Sequence, residues 1–272
     1  MSEKAEFVAQ DLGSCQRLGF RSSRVRFLRA LVNKRSERES SGCFVIEGEV
    51  ALGVALNSGA RLREVFVDCD AVFGQHVRDA QARGVTVSIL DSGVMNRVAS
   101  TVTPQPVIAI VERRSAALED ISDGPVVVLV DVSDPGNAGT IIRSAEAAGM
   151  SAVITCGHSV DVYSPKVVRS AASALFEIAH VTATDTAQTL ISLRSRGYKI
   201  WGTRMQDAVP YWDADLTGNV AILVGNEAHG LPTDLHVDNW VSIPMQGNAE
   251  SLNAAVAASI ICFEISRQEA HQ

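Results

Sequence analysis

The run PVVVLV at 125–130 is apolar at every position, and few structural settings accept such a segment. A half-solvated strand would alternate, whereas a continuous short run of β-branched residues suits a parallel strand covered on both faces. The next thirty residues strengthen that reading. After the loop DVSDPGN, the segment AGTIIRSAEAAG places Ile141, Ile142, Ala145 and Ala148 at helical spacing, stops at Gly149 in a C-terminal capping position, and gives way to SAVIT. This is a β-loop-α-β unit. Further strands are predicted at EIAHV, YKIWGT, VAILVG and NWVSIP, with helices over about 185–196 and 250–267.

The first 112 residues carry a second, smaller alternation. CFVIEG reads as a strand, EVALGVALNSGA as a helix, LREVFVD as a strand, FGQHVRDAQARG as a helix, and TVSIL and PVIAIVE as strands. The charged, Gly-terminated segment RRSAALEDISDG at 113–124 reads as a linker. The expected organisation is therefore a basic N-terminal extension at 1–38, an α/β domain at 39–112, a linker at 113–124 and a larger parallel-sheet α/β domain at 125–272.

Composition excludes several classes. Of 272 residues, 46% are hydrophobic and 20% charged, which is ordinary for a globular protein of one or two domains. The five cysteines are scattered and never form a C-x-x-C pair, and no histidine spacing suggests a metal site, so no metal is expected. No apolar run approaches the ~20 residues of a membrane helix, and the N-terminus is polar, so a cytoplasmic protein is expected. Net charge is −7, yet residues 17–38 hold eight basic side chains against one acid. A solvated helix face and a nucleic-acid patch explain such a run about equally well.

In parallel sheets, ligands bind beyond the carboxyl ends of the strands, which singles out three loops. DPGNAGTIIR offers Asn137 and Arg143, GNEAHGLP offers Asn226 and Glu227, and IPMQGNAESLN offers Ser251 and Asn253. Each alone could be a turn residue or a helix cap. The first loop lacks the G-x-G-x-x-G of a dinucleotide fold, so a Rossmann-type nucleotide enzyme is disfavoured.

Taken together and in order, DPGNAGTIIRSAEAAG, VGNEAHGLP and IPMQGNAESLNAAVA resemble the three signature motifs of the SpoU/TrmH family of RNA ribose 2′-O-methyltransferases. FVIEGEVALGVAL is similar to that family's N-terminal substrate-binding domain. The resemblance implies a C-terminal domain with a deep trefoil knot, which nothing in the periodicity indicates; the pattern alone predicts an open, unknotted sheet. It also implies S-adenosylmethionine as cofactor, bound near Thr203, Gly225, Ile243, Met245 and Leu252, and a homodimer. Arg143 would act on the ribose hydroxyl or grip the adjacent phosphate; a guanidinium, with a pKa above ~12, gives up its proton reluctantly. Asn137, Glu227, Ser251 and Asn253 would hold the reacting geometry. In this setting Arg17, Arg21, Arg24, Arg26, Arg29, Lys34 and Arg35 become candidates for contacting RNA phosphates. Ribosomal RNA is the favoured substrate, with transfer RNA and a non-catalytic RNA-binding role as alternatives.

Overall fold

A computed structural model describes residues 6–248 and 251–271 of the chain. The chain divides into two compact units, one holding the residues through Arg113 together with Tyr163–Arg169, the other Arg114–Val162 and the residues from Ser170.

In the first unit a five-stranded mixed sheet runs in the spatial order Gln16–Leu18, Thr86–Leu90, Leu62–Asp68, Val107–Glu112, Cys43–Glu47. The first three strands are mutually parallel and Val107–Glu112 pairs antiparallel with both neighbours. The basic stretch is not an extension outside this domain. It supplies an edge strand and the helix Ser23–Asn33, whose Val25, Leu28, Leu31 and Val32 are buried in the same core as Phe66 and Ile108. An apolar stripe at helical spacing underlies the charges, and burying that stripe is what folds the segment.

That arrangement separates the arginines. Arg24 is committed to the fold: its guanidinium grips both oxygens of the largely buried Glu64, with Nε at 3.0 Å from Oε2, and it also donates to Ser88 Oγ at 2.7 Å and Gln16 Oε1 at 2.8 Å. Arg38 is buried and donates to the carbonyl oxygens of Leu31 and Val32, at the end of the preceding helix. Arg17 pairs with Asp91 at 3.3 Å and Arg35 with Glu39 at 2.7 Å, both at the surface. Arg21, Arg26, Arg29 and Lys34 are exposed, and Arg29 lies over the Phe20 ring, 5.6 Å from its centroid. Arg24 therefore leaves the set of RNA-contacting candidates, because a buried carboxylate requires it.

In the second unit seven strands, all parallel to their neighbours, run in the order Ala179–Thr182, Ala152–Cys156, Val126–Val130, Val220–Val224, Lys199–Thr203, Asn239–Ser242, Val209–Pro210. The apolar run is the third strand, with every residue at 1% exposure or less, as the continuous pattern predicted. On one side of it the strands follow in chain order; on the other they do not. The reversal between Val126–Val130 and Val220–Val224 makes a topological switch point, where a crevice opens beyond the strand ends. The segment expected as a linker packs onto this unit, with Ile121 buried in its core and Ala116 and Leu118 against it. Among the described residues no helix is long and apolar enough to cross a membrane.

Two helix boundaries differ from the sequence pattern for identifiable reasons. The first helix of the unit begins at Pro135, because Asp134 caps it by accepting from the Asn137 N–H at 2.8 Å and Pro135 is preset for a first turn. The last helix is Ala254–Glu269, starting later than expected because Asn253 caps it. It packs on Pro135–Ala147, with Ser259 Oγ donating to Ser144 Oγ at 2.7 Å.

Arg24→Ala should destabilise the protein by about 3 kcal/mol or more, since it strands the Glu64 carboxylate, whereas Arg26→Ala should leave chemical unfolding unchanged. His180 is buried and desolvation pushes its pKa down to about 4, with only partial opposition from the Leu175 backbone. The unfolded chain therefore binds the extra proton between about pH 6.5 and 4, and stability should fall by on the order of 3 kcal/mol as pH drops through that window. Unfolding curves of His180→Leu should lack that slope.

Candidate active site

Three strand ends at and beside the switch point deliver the polar loops. At the end of the first strand Asp131 adopts a left-handed backbone, φ 55°, turning the chain into DVSDPGN. Its Oδ1 accepts from the His158 N–H at 2.7 Å and its carbonyl accepts from Asn226 Nδ2 at 2.9 Å, so the first motif loop is tied directly to the second.

Glu227 is the hub. Its carboxylate accepts from the Ser133 N–H and hydroxyl at 3.3 and 3.2 Å, from the Asp134 N–H at 3.1 Å and from Asn137 Nδ2 at 3.1 Å. Partial burial alone would raise its pKa, but the Asn137 amide and the backbone N–H groups of Glu227, Asp134 and Ser133 outweigh that and hold it below the usual glutamate range. With Nδ2 given to Glu227, the Asn137 Oδ1 accepts from Asn253 Nδ2 at 2.9 Å. Asn253 in turn uses its own Oδ1 to accept the Ala255 and Val256 N–H groups at 2.9 and 3.2 Å. A carboxylate can only accept and helix N–H groups can only donate, so both amides in the relay have one permitted orientation. Asn137 is thus a bridge rather than a helix cap, and Asn253 is both.

Beside this relay lies a cavity of about 640 Å³, within the roughly 300–1,000 Å³ of small-molecule sites. Its wall includes all five residues expected to hold the cofactor, Thr203, Gly225, Ile243, Met245 and Leu252, together with Glu227 and Ser251. Thr203 gives its hydroxyl to the Leu223 carbonyl at 2.9 Å. Gly225 is obligatory: a Cβ there would collide with the backbone of Gly230 and Leu231, where the loop folds back through paired Asn226 and Gly230 bonds. Apolar walls from Ala257, Ala258 and Ile261, with Gly225 among the lining residues and no side chain to fill the space beside it, suit a ligand that is part purine and part aliphatic chain.

Arg143 is not drawn into this network. It is exposed on its helix, its guanidinium makes no ion pair or hydrogen bond with a described residue, and it does not line the cavity. Glu250, which precedes Ser251 in the third motif, lies outside the described residues. Among the wall residues that escaped the sequence reading are Arg204 and Trp240, stacked with the guanidinium 4.5 Å from the ring centroid. Arg204 follows a predicted strand end and so had a positional signal; Trp240 had none.

Comparison with known proteins agrees with this geometry. The model of the SpoU rRNA Methylase family matches residues 124–263, and that of the MRM3-like substrate binding domain matches 22–109. The chain is 32% identical over 237 residues to the 23S rRNA (guanosine(2553)-2′-O)-methyltransferase RlmP of Bacillus subtilis, covering 86% of this chain and 92% of the relative. It is 31% identical to the 23S rRNA (uridine(2479)-2′-O)-methyltransferase of Streptomyces viridochromogenes, covering 94% and 93%. In structure it resembles an AdoMet-bound rRNA methyltransferase from Sinorhizobium meliloti, with a TM-score of 0.82 at 31% identity over 94% of this chain and 98% of that one.

Gly225→Ala must displace the 226–231 loop from the cavity wall. Calorimetric titration with S-adenosylmethionine should show Kd raised at least about tenfold with far-UV circular dichroism unchanged; a Kd equal to wild type would refute the role given to this glycine.

Proposed function

The chain belongs to the SpoU rRNA Methylase family, and from that membership we propose that it methylates a ribose 2′-hydroxyl of 23S ribosomal RNA. It is an S-adenosylmethionine-dependent RNA ribose 2′-O-methyltransferase. The observation that carries the reading is the Glu227–Asn137–Asn253 relay, which joins the three motif loops beside a cavity of cofactor size. The relatives' names favour ribosomal over transfer RNA, and a ribosomal substrate supports a cytoplasmic location.

When bound in the cavity, S-adenosylmethionine supplies an electrophilic methyl group on a sulfonium. The protein's part is positional. Gly225 lets the loop backbone approach the ligand, while Ile243, Leu252 and Ala258 exclude water from it. Glu227, kept ionised at neutral pH, fixes Asn137, and Asn137 fixes Asn253, so the polar groups around the reacting atoms are set before substrate arrives. Holding two reactants in line can remove ~7–11 kcal/mol of barrier. Arg143, exposed and without an ion pair, is the cation available to grip the phosphate beside the target ribose. Arg21, Arg26, Arg29 and Lys34, exposed on the N-terminal unit, are the cations that unit offers to RNA phosphates.

Two finer features belong to the same reading. A trefoil knot is supported by the chain path: it leaves the sheet at Ser242, beyond Lys199–Thr203, and returns to pack its last helix on Pro135–Ala147. A homodimer is supported by an exposed apolar line along that last segment, Leu252, Val256 and Phe263, at 37%, 48% and 53% exposure.

Transfer of labelled methyl to purified ribosomal RNA and, separately, transfer RNA, with mapping of the modified ribose, tests this directly. Label on one nucleotide of 23S RNA is expected; label confined to transfer RNA, or cofactor binding without transfer to any RNA, would overturn it. Arg143→Lys should raise KM for RNA while keeping kcat within about threefold, and Arg143→Ala should lower kcat/KM by about 100-fold or more.

A further inference from the structure

S-adenosylmethionine carries a single anionic group, the carboxylate of its amino-acid end, and a site that holds the whole molecule needs a partner for it. Among the described residues lining the cavity, Arg204 is the one permanent cation. Glu227, on the same wall, has its carboxylate taken by the Ser133, Asp134 and Asn137 donors. The charge on Arg204 is therefore not consumed within the wall. Among the described residues no carboxylate pairs with it.

The guanidinium is nevertheless held in place. Arg204 follows the carboxyl end of Lys199–Thr203, and its guanidinium carbon lies over the Trp240 ring, 4.5 Å from the centroid. Trp240 in turn rests on Gly202, its partner in the neighbouring parallel strand. A Cβ at position 202 would come within 2.5 Å of indole Cζ3, so glycine is what lets the ring lie there. One guanidinium N–H group donates to the Asp207 carbonyl, presented by a turn in which Asp207 takes a left-handed backbone, φ 51°. An exposed arginine ordinarily loses rotamer freedom when it grips a ligand; a stack and a carbonyl brace remove part of that cost beforehand. The remaining N–H donors form a planar fork that matches the two oxygens of a carboxylate.

We propose that Arg204, held by Trp240, binds the carboxylate of S-adenosylmethionine. Arg204 is a binding residue and Trp240 a positioning residue. Loss of the methyl group leaves the carboxylate intact, so substrate and product are held alike at this point. The contact therefore lowers KM for the cofactor and leaves kcat alone. This inference rests on the S-adenosylmethionine reading of the cavity and adds the side chain that recognises the amino-acid end.

The test pairs S-adenosylmethionine with its decarboxylated form, which keeps the purine, ribose, sulfonium and ammonium groups and lacks only the carboxylate. By calorimetric titration the wild-type protein should bind the first about 10–100-fold more tightly than the second. Arg204→Ala should close that gap to within about threefold by weakening S-adenosylmethionine alone, and Trp240→Leu should narrow it without closing it. In turnover, Arg204→Ala should raise KM for the cofactor with kcat within about twofold of wild type. Equal losses for both compounds in Arg204→Ala would show a purely structural role. An unchanged Kd for S-adenosylmethionine with a raised KM for ribosomal RNA would set Arg204 against an RNA phosphate. Either result overturns the proposal and leaves the methyltransferase reading standing. Wild-type protein that binds neither compound removes the cofactor reading and the carboxylate anchor with it.

Discussion

A single directional hydrogen-bond relay sets the active end of this protein: Glu227 accepts from Asn137, Asn137 from Asn253, and Asn253 from the first turn of the last helix. Each link has one permitted sense, because its ends are a carboxylate that cannot donate and backbone N–H groups that cannot accept. The relay therefore orients three loops that are far apart in sequence, with Asn137 and Asn253 separated by 116 positions. Glu227 and Asn253 are exposed and Asn137 half-buried, so the relay acts through orientation, and losing one member leaves the others free to turn.

The sheet explains why these loops meet. The fully buried strand Val126–Val130 sits where the strand order reverses, and Val220–Val224 lies against it, so the loops carrying Asn137 and Glu227 leave the sheet side by side. Lys199–Thr203 and Asn239–Ser242 then bring the remaining walls of the cavity. The close passage of the 226–231 loop over Gly225 permits no side chain at that position, and the same loop carries the hub carboxylate.

Much of this was legible in the sequence, unevenly. The strand patterns located Leu62–Asp68 and Thr86–Leu90 to the residue, because short β-branched and apolar runs bounded by Gly and charged turns mark half-covered strands clearly. The five residues expected to hold the cofactor, all found on the cavity wall, were reached through the resemblance of three motifs, not through periodicity. Pattern reading failed where contacts are non-local. Arg24 looked like any other basic residue until Glu64, 40 positions away, proved to need it, and the apolar stripe of Ser23–Asn33 was masked by the charges between its members. The start of the first catalytic helix was set by Asp134 and Pro135, a capping pair lying inside a segment that reads as loop.

If the relay organises the site, Asn137 and Asn253 act as one unit. A double-mutant cycle with Asn137→Ala, Asn253→Ala and the combined variant, read by kcat/KM for methyl transfer to ribosomal RNA, decides the matter. The relay predicts strong non-additivity, with the double variant little worse than the worse single one and a coupling energy above about 1 kcal/mol. Losses that simply add would show the two side chains acting independently, and the relay would no longer be what orients the three loops.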